Sequence, residues 1–174
     1  MEFEFGMKFK ITAEGADTKE LVERLGEAGC DDAVVGTGQL GRIALEFIRE
    51  ARSAKDAIVS ALRDVKKAIP EAELIEVTPD FVGLTEVAEL VGVSRQNMRK
   101  LMLTHAAAFP APVHEGSASI WHLAHVLQWL ADRGDYAIQL PLLDVATVAM
   151  QINLTKEARG LDGPVQKEVR ALVA

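Results

Sequence analysis

Apolar and polar residues alternate at the start of the chain, with Phe3, Phe5, Met7, Phe9 and Ile11 on one side and Glu2, Glu4, Lys8 and Lys10 on the other. A period of two predicts a half-buried strand over 3–11. The spacing then lengthens. Leu21, Val22, Leu25 and Ala28 recur as a helix would place them, after Asp17 as cap and Glu20 three positions on. Asp31-Asp32 leads into a short apolar strand, Ala33-Val34-Val35, and Gly36-Thr37-Gly38 supplies a turn. Ile43, Leu45 and Phe47 alternate within 42–49. Leu40, Ile43, Ala44, Phe47, Ile48 and Ala51 also satisfy helical spacing, so periodicity leaves 40–51 open between strand and helix. Ser53, with Asp56 in the reciprocal position, caps a helix that buries Ala54, Ala57, Ile58, Ala61, Leu62, Val65 and Ile69, and Pro70 closes it. Residues 72–77 make a last strand. The order βαββαβ predicts an α+β class and a ferredoxin-like domain over 1–80, an antiparallel sheet with two helices on one face.

Two shorter amphipathic segments follow, meeting at Gly92-Val93-Ser94. Thr85 can cap the first, and Val87, Ala88, Leu90 and Val91 form its apolar stripe. Gly92 stands where the chain must turn sharply, and Ser94 can cap the second segment. At about 100° per residue, Met98, Leu101 and Met102 fall together with Ser94. Arg95, Gln96, Arg99 and Lys100 spread over the opposite side, beside Asn97. Arginine pairs bidentately with guanine and glutamine with adenine, so this face has the groups that read a major groove. No acidic residue lies between Gly92 and His114. Residues 94–103 are therefore the expected recognition helix of a helix-turn-helix. Thr85 and Ser94 are candidates for phosphate contacts.

Beyond it, Phe109-Pro110-Ala111-Pro112-Val113 and Ile120-Trp121 flank a Glu115-Gly116-Ser117 turn, which predicts a small hairpin, or wing, over 113–121. His114, Ser117 and Ser119 are its candidate DNA contacts. A third helix over 122–133 carries Leu123, Val126, Leu127 and Leu130, with Trp121 and Trp129 packing the wing onto it. Residues 139–159 form a helix too apolar for a free surface. It either packs back on the wing's core or pairs with a second copy. Gly160 to Pro164 breaks it, and Val165, Val169, Leu172 and Val173 line a short tail. Three parts are expected: 1–80, a winged helix-turn-helix over 81–134, and a C-terminal helical segment over 135–174.

The run from Gly83 to Gln96, the Phe109-Pro110-Ala111-Pro112-Val113 stretch, Trp121 and the segment Val126 to Trp129 together resemble the MerR/excisionase-like winged helix-turn-helix proteins, including the small AlpA-type phage regulators. The resemblance is limited to residues 83–130. It implies DNA binding, with residues 94–103 in the major groove and the wing alongside. Wings of that family are commonly basic, and here Glu115 and two serines stand instead.

Charge refines this picture. The net charge is −7, which speaks against binding nucleic acid over the whole surface. Residues 1–80 carry 17 acids and 11 bases, whereas 81–134 carry four of each. The acid excess lies away from the reading helix and leaves a larger share of affinity to specific contacts. Cys30 is the sole cysteine and reads as a small buried hydrophobe in a reducing cytoplasm. The first residues do not resemble a signal peptide, and no apolar run approaches the roughly 20 residues of a membrane span.

Gly36-Thr37-Gly38-Gln39-Leu40-Gly41 matches the dinucleotide fingerprint G-x-G-x-x-G. It would need a helix opening at the loop and a second parallel strand ending in an acid about 20 residues on. A capped helix follows Ser53 instead, so no cofactor is expected. His122 and His125 stand three apart without the companions a metal site requires, and a surface or capping role is expected for them. No spacing supports catalytic residues. The sequence predicts a cytoplasmic, homodimeric transcriptional regulator that binds double-stranded DNA and is not an enzyme. The alternative is an antitoxin or adaptor whose acidic N-terminal domain holds a protein partner, with DNA binding serving autoregulation.

Overall fold

A computed structural model describes residues 1–12, 18–170 and 172–173. The chain is α+β, with seven helices and two small antiparallel sheets among those residues. Strand β1 (Glu2–Lys10) follows the alternation, burying Phe3, Phe5, Met7 and Phe9. Helix α1 (Thr18–Ala28) buries Leu21 and Leu25, while Val22 stays exposed. The cap expected at Asp17 falls outside the described residues. After β2 (Ala33–Gly36), residues Arg42–Glu50 form β3 and run antiparallel to it. The periodic ambiguity of 40–51 is thus resolved as strand, because Ile43, Leu45 and Phe47 all reach the core that β1 lines. The 36–41 loop accordingly joins two antiparallel strands and opens no helix, which is the element the dinucleotide fingerprint requires.

Helix α2 (Ala54–Ala68) starts at Ser53, whose Oγ accepts the Asp56 N–H at 3.1 Å. It lays an alanine-rich stripe, with Ile58 and Val65, against the sheet. Strand β4 (Glu73–Thr78) completes the order β2-β3-β1-β4. One sheet face is covered. The other presents Glu2, Glu4, Lys8, Lys10, Glu46, Ile48 and Glu50 to solvent.

Arg49 continues the inward parity of β3 and is only 8% exposed. Its guanidinium is forked onto Asp32 at 2.7 and 2.9 Å, and it also reaches Asp64, Ser60 Oγ and the Gly29 carbonyl. Hydrogen bonding to Asp32, and then to Asp64, raises its already high pKa in spite of burial. This one side chain ties β3 to the α1–β2 turn and to α2. Gly29, at φ 113°, makes the turn, and a Cβ there would press to 3.2 Å from the Asp64 carboxyl.

Cys30 is buried beside the same cluster, as expected of a small hydrophobe. Burial, followed by the Asp64 charge, pushes its thiol up from 9.0 to about 11. The folded protein holds this proton longer than the unfolded chain. The stability the thiol contributes is therefore complete below 9.0 and drains away as pH rises toward about 11. At pH 8 a thiol-specific reagent should label Cys30 only as fast as the chain unfolds. Prompt stoichiometric labelling of the folded protein would contradict that.

The cis Thr78–Pro79 peptide and Asp80 lead into β5 (Phe81–Val82), a two-residue strand that periodicity does not signal. Then come α3 (Leu84–Val91), α4 (Arg95–Thr104), β6 (His114–Glu115), β7 (Ser119–His122) and α5 (Leu123–Arg133). The second sheet has the order β5-β7-β6. Val87, Ala88, Met98, Phe109, Trp121, Leu123, Val126, Leu127 and Leu130 form a second hydrophobic cluster beneath it.

Helix α6 (Leu140–Ala158) serves both clusters. Val145 and Ala149 enter the first, and Ala146, with Leu142, Leu143 and Met150, enters the second. It does more than pack back on the wing's core, for it also runs along β4 and α2. Burial on two flanks, with Asp144, Gln151 and Thr155 left to solvent, is why the helix carries more apolar residues than a one-sided amphipathic helix. The short α7 (Gly163–Val169) has no buried residue. No helix among the described residues is long and apolar enough to cross a membrane.

Candidate nucleic-acid interface

Helix α3 begins two residues earlier than a Thr85 cap would place it. Gly83 is the cap, and the Glu86 carboxylate reaches back to accept its N–H at 2.7 Å. Thr85 sits inside the first turn, exposed, its hydroxyl free of capping duty. Leu90, counted in the apolar stripe, is 42% exposed; Val87 and Ala88 carry the burial. The missed boundary has a simple cause: glycine has no side chain to announce a cap, and the signal lay in Glu86 three residues on.

Gly92 ends α3 in the left-handed region at φ 76°, where a non-glycine residue would be strained. Two residues later Ser94 Oγ accepts the Asn97 N–H at 3.1 Å and opens α4. This oxygen spends its acceptor on the helix but retains an O–H to donate. Met98 is fully buried, and Leu101 and Met102 are partly so, which sets the helix's rotation. Arg95, Gln96, Asn97, Arg99 and Lys100 are exposed. Among the described residues, none of these five side chains makes a hydrogen bond or an ion pair. Three cations and two amides thus stand on a helix anchored from beneath by Met98, Leu101 and Met102.

The hairpin that follows is held by the pairs His114↔Ile120 and Glu115↔Ser119 and by the Val113 N–H on the Ile120 carbonyl. His114 and Ser117 are exposed and Ser119 is half-buried, so the first two are the freer to contact a ligand. Trp121 is core: its Nε1 donates to the Pro110 carbonyl at 3.0 Å, and its ring meets Phe109 edge-on. Phe109 also meets Trp129, and His105 at the end of α4 lies against that same indole. Arg133 covers Trp129 from outside at 4.9 Å. These rings fasten the hairpin and α4 to α5 and leave no aromatic platform.

Of the histidine pair, only His125 takes the expected surface role. His122 is buried, with Nδ1 2.7 Å from Asp80 Oδ1, and it contributes no side-chain cap to α5. His125 is exposed, and its ring stacks edge-on against His122. Among the described residues no group of His, Cys, Asp or Glu side chains is arranged to hold a metal ion.

Asp80 opens a network that spacing could not reveal. Its Oδ2 accepts from Asn153 Nδ2 at 2.8 Å. Asn153 in turn accepts the Val77 N–H at 2.8 Å and donates to the Val77 carbonyl at 2.9 Å. The amide stands in for a neighbouring strand along the open edge of β4, satisfying backbone groups that would otherwise be buried without partners. All three side chains, Asp80, His122 and Asn153, are buried. They join the first sheet, α6 and the start of α5 in one chain of hydrogen bonds. The only hint in the sequence was a lone asparagine inside an apolar helix.

Comparison of the chain with protein-family models, with curated proteins and with solved structures gives no match.

Proposed function

We propose that this protein is a sequence-specific DNA-binding transcriptional regulator of the cytoplasm. Helix α4 would lie in the major groove, and the β6–β7 hairpin would serve as the wing. The observation that carries this reading is the face of α4. Arg95, Gln96, Arg99 and Lys100 are exposed and unpaired among the described residues, while Met98 is buried behind them. A charged face on an ordinary solvated hairpin commonly mixes signs, and here no acid occurs from Val93 to Val113. The order β5-α3-α4-β6-β7-α5, with β5 beside β7, supports a winged helix-turn-helix of the MerR/excisionase kind. The βαββαβ order with β1 and β3 central supports a ferredoxin-like first unit. We read the protein as a binding protein, not an enzyme, that acts as a homodimer. Two recognition helices would then sit about 34 Å apart on a palindromic site.

Arg99→Ala should weaken operator binding by about 1–3 kcal/mol and relax preference at one base position. Lys100→Ala should instead weaken all duplexes evenly and flatten the salt dependence. Duplexes selected from a random pool at fixed salt, titrated by fluorescence anisotropy, provide the measurement. An unchanged affinity for Arg99→Ala would remove that residue from the interface.

A second reading has its own observation. On the open sheet face Glu2 and Glu50 are directly paired across β1 and β3, with Glu4 and Glu46 nearby. Like charges set opposite one another cost stability, and a basic partner protein would relieve them. An antitoxin or adaptor that uses this face and regulates its own synthesis through α4 is the alternative. Co-purification of a basic protein, abolished by Glu2→Gln with Glu50→Gln, distinguishes it from a plain repressor.

A further inference from the structure

Between α2, β4 and α6 runs a groove of about 700 Å³, within the range of small-molecule sites. Its floor is apolar and half-buried: Val59, Leu62, Leu74, Val148 and Ile152. Its rim holds four cations, Lys55, Lys66, Lys156 and Arg159, against a single carboxylate, Glu73, which already faces Lys10 at 3.9 Å. That is a local reversal of sign in a chain whose net charge is −7.

Two of the cations are held in place. Lys66 Nζ donates to the Pro70 and Ala72 carbonyls, and Lys156 Nζ donates to the Ile75 carbonyl and pairs with Glu157. An ammonium has three donors, so each keeps one. The side chains of Lys55 and Arg159 make no hydrogen bond or ion pair among the described residues. The groove therefore presents an apolar floor and preplaced positive charge above it. A bare phosphate would leave the floor wet, and a neutral hydrocarbon would leave the rim unused.

We propose that this groove binds a small amphipathic carboxylate, its apolar body on Leu62, Leu74 and Ile152 and its carboxylate on the lysine and arginine rim. The helix that forms one wall is also the helix that enters the second cluster. Val148 and Ile152 line the groove, whereas Leu142, Leu143 and Ala146 enter the cluster that α5 shares with α3 and α4, with α5 packed directly on α6. A ligand pressing on α6 would reach the recognition helix by rigid displacement. Only this passage of the signal rests on the DNA-binding reading; the binding itself does not.

The full chain is titrated with anilinonaphthalene sulfonate, an aromatic anion that fluoresces when desolvated, and the probe is then competed with decanoate. Saturable binding, displaced by decanoate at least about tenfold better than by decylammonium, is expected, since the two share a ten-carbon skeleton and carry head groups of opposite charge. Lys55→Glu with Arg159→Glu, both exposed, one on α2 and one at the C-cap of α6, should weaken decanoate about tenfold with the circular dichroism unchanged. Ile152→Glu should abolish binding by placing a carboxylate on the floor. Equal competition by decanoate and decylammonium, or full binding by the charge-reversed variant, overturns the proposal. So does a groove closed by a second copy, seen as probe release on dimer formation in sedimentation. Absence of any duplex binding would count against the DNA reading alone.

Discussion

Arg49→Met should destabilise the protein by about 3 kcal/mol or more, measured as a lower midpoint of urea unfolding at constant slope. The substitution keeps most of the buried volume and removes the charge. Asp32 and Asp64 are then left facing each other and the Gly29 carbonyl with no donor between them. Their side chains are each 28% exposed, so water recovers part of the loss and keeps the cost toward the low end of what a broken buried pair exacts. Arg49→Lys should restore less than half of it, because a single ammonium cannot span both carboxylates and the turn carbonyl. Adding Asp32→Asn and Asp64→Asn to Arg49→Met should recover most of the stability. A midpoint unmoved by Arg49→Met would show that the cluster is ornamental to the fold.

The second large effect is expected at Asn153. Asn153→Leu is close in volume, yet it strips partners from the Val77 N–H, the Val77 carbonyl and Asp80 Oδ2 at once. Each unsatisfied buried group costs about 1–3 kcal/mol, and a cost of about 3 kcal/mol or more is expected in total. The loss should be shared with Asp80→Ala: a double-mutant cycle should show strong coupling, since both substitutions cut the same chain. Hydrogen exchange should also quicken at the Val77 amide, which rests on this side chain alone at the open edge of β4. Strict additivity of Asn153→Leu and Asp80→Ala would mean that the two residues stabilise the protein separately. For the proposed regulator the network has a further consequence. It is a polar route from the first sheet to the N-terminus of α5, parallel to the apolar route along α6.

Most elements were legible in the residues themselves because their signals are local. Strict alternation made β1 a strand, Ser53 and Ser94 marked the starts of α2 and α4, and Gly92 marked the turn between α3 and α4. Each depends on neighbours within one or two turns of chain. The exposed face of α4 follows from the same logic, for one fully apolar side of a ten-residue helix leaves the other side to solvent. Where local signals conflicted, as over 40–51, the pairing of β3 with β1 decided, since nine consecutive residue pairs and a shared core outweigh an accidental helical spacing.

What lay beyond local reading was every interaction between residues far apart in the chain. Alternation places Arg49 on the inward side of β3, yet only the meeting of β3 with the α1–β2 turn and α2 supplies the two carboxylates that make burial tolerable. Asn153 is 76 residues from Val77 and 73 from Asp80, and no periodicity spans such distances. The short β5 has too few residues to carry a pattern, and it exists because β7 offers it an edge. Apart from β3 and β5, the strands and helices, the serine caps and the solvent-facing side of α4 were thus set by the sequence at short range. The double seat of α6, the buried chain of hydrogen bonds and the cationic groove arose only in the folded chain, because their energies come from groups that meet nowhere else.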